Sequence, residues 1–292
     1  MRNLLAMPLR TLLAALLLGV LPLSAIASEL SVTGQLQPGG AILLKVTGFP
    51  KGATMKGSLE GQTFPVTAAG LALVALDMEA HKEKARLDVE IQAPDGSPPE
   101  RLTHTFAVAP RGYREEHLNL PEEKVELNAE DLQQADREKA LINQTFERRG
   151  GEPGYLLGFQ IPAEGRLTGI FGSRRILNGK ARNPHNGIDI AAAKGTPVVA
   201  LAPGVVALVG EDFLFTGRTL ILDHGDGVFS LYSHLDSILV TPNTWVPLNT
   251  IIGTVGQSGR ATGPHLHLGV RVREARVDPL ALPGLQGKLP RP

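Results

Sequence analysis

The chain of 292 residues contains no cysteine, which excludes a disulfide framework, a thiolate metal site and a cysteine-borne lipid anchor. It has no charge surplus either, with 29 Lys and Arg against 29 Asp and Glu. Lacking a basic run that could track phosphates, it is not expected to bind nucleic acid. No phosphate-binding glycine loop, GxSxG elbow or HExxH helix occurs. What remains is an ordinary globular composition, 42% hydrophobic and 20% charged, at a length that predicts two domains.

One long apolar run is present, "TLLAALLLGVLPLSAIA", preceded by Arg2 and Arg10 and ending in Ala25-Ile26-Ala27. This is the pattern of a signal peptide over residues 1–27. The run is short for a bilayer span and contains Pro22, so no stable membrane span is expected after cleavage. An exported protein is predicted.

Residues 29–110 alternate apolar and polar in short runs such as "AILLKVTG", "ARLDVEIQA" and "LTHTFAVA". Leu87, Val89 and Ile91 fall on one face of such a strand, and Asp88 and Glu90 on the other. Gly and Pro clusters punctuate the runs, and the segment reads as a small antiparallel, sandwich-like β domain. His81 and His104 are isolated there and are read as surface or structural residues. Residues 111–163 are charged and helix-prone, a helical connector between domains. Asn128 is a candidate N-cap with Asp131 three residues on. Leu132, Leu141, Ile142 and Phe146 stand on a polar background, the charged face is read as solvated, and "RRGGEPG" stops the helix. Residues 164–282 return to β-branched runs with glycine-rich turns, a mostly antiparallel β domain, followed by a tail over 283–292. The fold class is therefore mainly β.

Five of the eight histidines, His185, His224, His234, His265 and His267, lie in this second domain. In "PHLHLGV", His265 and His267 are two apart, so on a strand they share one face while Leu266 and Leu268 turn to the core. In "PHNGIDI", Gly187, Ile188 and Ile190 argue for extended chain. His185, Gly187 and Asp189 then share a face, with glycine leaving room between imidazole and carboxylate. Nitrogen and oxygen ligands of this kind suit Zn²⁺. In "VFSLYSHLDS", alternation puts Phe229 and Leu231 on one side and Ser230, Tyr232 and His234 on the other, with His234 leaving the strand at its end. His224, in "LDHGDG", reads as a turn residue or one supporting the site from behind.

"FGSRR", "PHNGIDIAAAKGTPVVA", "LILDHGDG", "YSHL" and "TGPHLHLGV" occur in an order and spacing that resembles the lysostaphin-like, or LytM-domain, zinc metallopeptidases of bacterial cell walls. The resemblance covers roughly residues 164–280. It implies a LytM-type peptidase domain, a zinc ion held by His185, Asp189 and His267, and catalytic His234 and His265 beside it. Spacing alone leaves open which of His265 and His267 is the ligand. The stretch "VTPNTWVPLNTIIG", with Pro242, Trp245 and Pro247, departs from the family pattern and predicts an altered loop away from the ligands. "LPEEKVEL" and the following helix resemble the N-terminal region of exported relatives from Gram-negative bacteria.

The function implied is an exported zinc metallo-endopeptidase acting on the peptide cross-links of peptidoglycan, a D,D-endopeptidase in the periplasm, with cell-wall or divisome proteins as the partners of that setting. Two alternatives are a non-catalytic activator of cell-wall amidases on the same fold and a closed structural zinc site. Three ligands with two further histidines nearby favour an open, catalytic site. The upstream half, without recognisable chemistry, is expected to restrain the active site, the alternative being a spacer or a partner-docking module. A chain beginning near Gly165 is expected to fold alone and work faster.

Overall fold

The structure is a computed structural model that describes residues 27–118, 128–177, 180–181 and 183–290. The expected signal peptide, up to residue 26, and "LPEEKVEL" lie outside the described residues.

The first lobe contains β1 (Glu29–Gly34), β2 (Ala41–Thr47), β3 (Thr54–Leu59), β4 (Gln62–Pro65), β5 (Leu71–Ala75), β6 (Lys84–Gln92) and β7 (Glu100–Ala107). They form two antiparallel sheets, β1-β2-β5 and β4-β3-β6-β7. Leu87, Val89 and Ile91 of β6 are buried against Ile42, Leu44 and Val46 of β2, the inner-face packing of a sandwich. Gly57 on β3 is required by close approach: a Cβ there would lie 2.1 Å from the Phe64 ring. His81 and His104 are exposed.

Between the lobes run β8 (Glu115–Leu118) and α1 (Ala129–Phe146). Asn128 caps α1 as expected, its side chain accepting from the Asp131 N–H at 2.8 Å. The helix is more than a connector. Ile142 and Phe146 pack on Ala207, Ile221 and Phe229, and the Leu214 N–H donates to Glu138 Oε2 at 2.9 Å. Leu132 and Leu141, apolar in the same pattern, stay 52% and 47% exposed.

The second lobe contains β9 (Arg166–Gly169), β10 (Arg174–Leu177), β11 (Lys180–Ala181), β12 (Gly187–Ala191), β13 (Pro197–Val199), β14 (Gly204–Phe213), β15 (Gly217–Asp223), β16 (Val228–Ile238), β17 (Trp245–Val246), β18 (Ile251–Val255), β19 (His265–Val272) and β20 (Ala275–Val277). The main path is β17-β14-β15-β16-β19-β12-β9, with β13, β18 and β20 attached beside it. β10 and β11 form a separate ribbon, to which β8 adds in parallel. β17, carrying Trp245, pairs only β14 at the far edge of the path, so the departing loop does lie away from β12 and β19.

The two faces of this sheet have different uses. Ile188, Ile190, Leu220, Leu222, Tyr232, Leu266 and Leu268 point into a core that continues into the first lobe through Ala41, Leu73 and Met78. Polar bonds tie the same interface. Arg276 grips Asp77 with Nε at 2.9 Å and Nη2 at 2.6 Å, Arg111 pairs with Asp278, and the Asp278 N–H donates to Gly39 O at 2.8 Å. The tail is integral as well: Ile161 N–H donates to Gln286 O at 2.9 Å and Gln286 N–H to Phe159 O at 2.8 Å. The opposite face is shared by α1, over β14 to β16, and the histidines of β16 and β19.

Candidate metal centre

β12 and β19 pair so that Asp189 stands directly opposite His267 and Ala191 opposite His265. Directly opposed residues of an antiparallel pair project on one face, so Asp189, His265 and His267 converge. His185, just ahead of β12, completes the group. Its Nε2 lies 3.1 Å from Asp189 Oδ1 and 3.0 Å from His267 Nδ1, and His267 Nδ1 lies 2.9 Å from Asp189 Oδ1. Three donor atoms thus make a nearly equilateral triangle, the geometry of three ligands closing on one ion. A tetrahedral ion with bonds of about 2.0–2.1 Å spaces its ligands by about 3.3 Å, so the triangle fits zinc with little adjustment.

The surroundings make that approach feasible. A Cβ on Gly169 would lie 2.1 Å from Asp189 Oδ2, and one on Gly187 would lie 2.9 Å from His267 Cε1. Burial works to raise the Asp189 carboxyl, but hydrogen bonding with His185 and His267 outweighs it and holds the group well below the usual carboxylate range. Burial lowers the His267 imidazole, favouring the neutral form a metal requires.

Each remaining ring is oriented by a backbone carbonyl. His185 Nδ1 lies 3.1 Å from Ile170 O, His265 Nδ1 2.8 Å from Gly263 O, and His234 Nδ1 2.8 Å from Ser258 O. A carbonyl only accepts, so each Nδ1 carries the proton and each Nε2 presents a lone pair. His265 Nε2 stands back from the triangle, 3.9 Å from Asp189 Oδ1. The His234 and His265 rings lie 4.6 Å apart. They line, with the triangle and with Arg260, a cavity of about 420 Å³.

His234 reaches this cavity by a route that alternation does not give. The strand does not end there but runs on to Ile238, and Tyr232 and Ser230 are buried on the core side. Strict alternation would bury His234 with them. Between Tyr232, opposite Leu220, and Leu235, opposite Arg218, β16 carries one residue more than β15. This bulge, with His234 at φ +62°, turns the imidazole onto the metal face. Burial pulls that imidazole down to about 4.

His224 does not support the site. It lies on the core side, fully buried, with Nδ1 2.8 Å from Pro203 O and Nε2 2.7 Å from Ser230 Oγ. Ser230 Oγ is 2.9 Å from Tyr232 Oη, which accepts the Leu201 N–H at 2.7 Å. Ser258, Asn183 and Arg260 bear on the site without having been singled out from the sequence. Their signal was proximity to the histidines in "SGRATGPH" and "ARNPH".

Residues 183–279 match the sequence profile of Peptidase family M23. A solved structure of a putative M23 peptidase from Pseudomonas aeruginosa is 30% identical, with 86% of this chain and 96% of that chain covered and a TM-score of 0.65. The chain belongs to peptidase family M23. Among curated relatives, the peptidoglycan DD-endopeptidase ShyA of Vibrio cholerae is 31% identical over 150 residues, 51% of this chain and 32% of ShyA. The murein hydrolase activator NlpD of Escherichia coli is 32% identical over 119 residues, 41% of this chain and 29% of NlpD. The chain thus spans about a third or less of the curated relatives it matches.

Proposed function

We propose that the protein is an exported zinc metallo-endopeptidase that hydrolyses D,D cross-links of peptidoglycan in the periplasm, with His185, Asp189 and His267 as ligands and His234 and His265 as catalytic residues. The observation that carries this reading is the triangle of three donor atoms flanked by two histidines that line the same cavity. A closed structural site would have no use for the second pair. Zinc bound there would supply Lewis acidity, lowering the pKa of a water and polarising the scissile carbonyl. His234, neutral near pH 7, can take a proton at Nε2. His265 lines the same cavity, so the pair can orient the attacking water, steady the oxyanion and return a proton to the leaving amine. No covalent intermediate is needed.

An amidase activator is the second reading, favoured by the likeness to NlpD. It needs neither the donor triangle nor the histidine pair, both of which are intact. Among the described residues no helix is long and apolar enough to cross a membrane. The test is digestion of purified sacculi with and without a chelator, the products being identified by mass spectrometry. Zinc-dependent release of peptides cut between D-alanine and the diamino acid is expected. Absence of any product, with stimulation of an added amidase instead, would replace the enzyme with the activator.

A further inference from the structure

The metal cavity has one charged wall residue that the catalytic reading leaves unused, Arg260. It stands in the loop between β18 and β19, two residues beyond Ser258. Its backbone is fixed: the Arg260 N–H donates to Phe215 O at 3.0 Å. The preceding Gly259, at φ +67°, sits so close to the β14–β15 turn that a Cβ would lie 2.4 Å from Gly217 N. The guanidinium lies over the Phe215 ring, Cζ 5.1 Å from its centre. Phe215 thus supports one face of the group and leaves its N–H edge open.

No carboxylate among the described residues pairs with Arg260. The one carboxylate lining the same cavity, Asp189, is committed to His185 and His267. An arginine held in place by its backbone, stacked on a ring, exposed and unpaired at a cavity wall is a receptor for a planar anion, which it can take in a two-pronged grip. Its location says where the anion sits. Ser258, in the same loop, holds His234 through its carbonyl, so Arg260 belongs to the segment that orients His234 and shares the cavity wall with His234 and His265.

We propose that Arg260 reads a free carboxylate of the substrate next to the scissile amide, on the carbon that bears the leaving amine. This rests on the peptidase reading above and narrows it. A cross-link through a diamino acid with a carboxylate beside each amine satisfies Arg260. A cross-link through the side-chain amine of lysine, which stands on a plain methylene, does not. The carboxylate also fixes the amine beside the two histidines that would protonate it, so recognition and positioning coincide.

The test uses the full-length, zinc-loaded protein and its Arg260→Ala and Arg260→Lys variants. The substrates are synthetic peptides in which D-alanine is joined to meso-diaminopimelate, to its amide at the adjacent carboxylate, or to the side-chain amine of lysine. The wild type is expected to favour the first by about tenfold to a hundredfold in kcat/KM, the range for a hydrogen bond to a charged group. Arg260→Ala should abolish that preference, and Arg260→Lys should keep part of it. Equal rates in the wild type, or a preference that survives Arg260→Ala, would overturn the assignment and leave the peptidase reading intact. Calorimetric binding of the amine products, acid against amide, reads the same contact without turnover. Tighter, Arg260-dependent binding of the acid without cleavage of any peptide would sink the peptidase reading and support the carboxylate site. Equal binding of acid and amide would overturn the site.

Discussion

His234 is held to Ser258 by a 2.8 Å hydrogen bond from its Nδ1 to the Ser258 carbonyl oxygen, while the His234 N–H donates to Thr216 O at 2.8 Å. The bulged strand is thus tied to two loops at once. Those loops touch backbone to backbone through Gly217, at φ +62°, and Gly259, at φ +67°. Gly259→Ala adds a Cβ where none fits, so the loop must move and the His234 ring with it. The expected result is retained zinc, kcat lower by about tenfold or more, and a loss of about 1–2 kcal/mol in denaturant unfolding. Unchanged kcat would show that the loop does not orient His234.

Zinc at about one ion per chain is expected by metal analysis, and His185→Ala, Asp189→Ala or His267→Ala should each lose it. Full occupancy in all three variants would remove the site as drawn.

The two other histidines should behave differently. His234→Ala and His265→Ala are expected to keep most of their zinc while kcat falls by about 10²-fold or more, the usual scale for general acid–base groups. Equal zinc loss in the His265 and His267 variants would make both ligands.

Acid stability should depend on His224. Burial holds its imidazole down at about 4, against about 6.5 in the unfolded chain. Between those values the unfolded state binds the proton and the native state does not, so stability rises with pH. The contribution is fully present above about pH 7 and is lost as pH falls towards 4, by about 3 kcal/mol at most. His224→Gln should flatten the slope of unfolding free energy against pH over that window. Parallel slopes for the two proteins would refute this.

The lobes should unfold together. Because Leu73 and Met78 share a core with the peptidase strands, a single cooperative transition is expected, and Asp77→Ala should lower it by about 1–2 kcal/mol, discounted for partial exposure of the Arg276 pair. Two separate transitions would contradict the shared core. A chain beginning near Gly165 would bare that core and the Phe229 surface under α1, so the expectation that it folds alone does not follow from the packing.

The strand pair that builds the triangle was legible because it obeys local periodicity. His265 and His267 lie two apart, as do Gly187 and Asp189, and period 2 alone puts them on one face. His234 was placed in the site only by family resemblance. Alternation groups it with Tyr232, whose face is the core side in the structure, and the bulge that redirects it is set by pairing with β15 and by contacts from Thr216 and Ser258, distant in sequence. The docking of α1 was hidden for a similar reason. Leu132, Leu141, Ile142 and Phe146 look equivalent along the helix, and only the sheet beneath decides which are covered. The depth of His224 was equally invisible, since a turn sequence does not reveal that its ring folds back under the strands.

The three rings with protonated Nδ1 atoms take that state from main-chain carbonyls of Ile170, Ser258 and Gly263. Side-chain substitution at those three positions leaves the acceptor in place, whereas a histidine oriented by an aspartate is lost with one codon change. Mutational drift in the walls of this pocket can therefore remodel what the protein admits while the proton inventory of the centre stays the same, a favourable starting point for directed evolution.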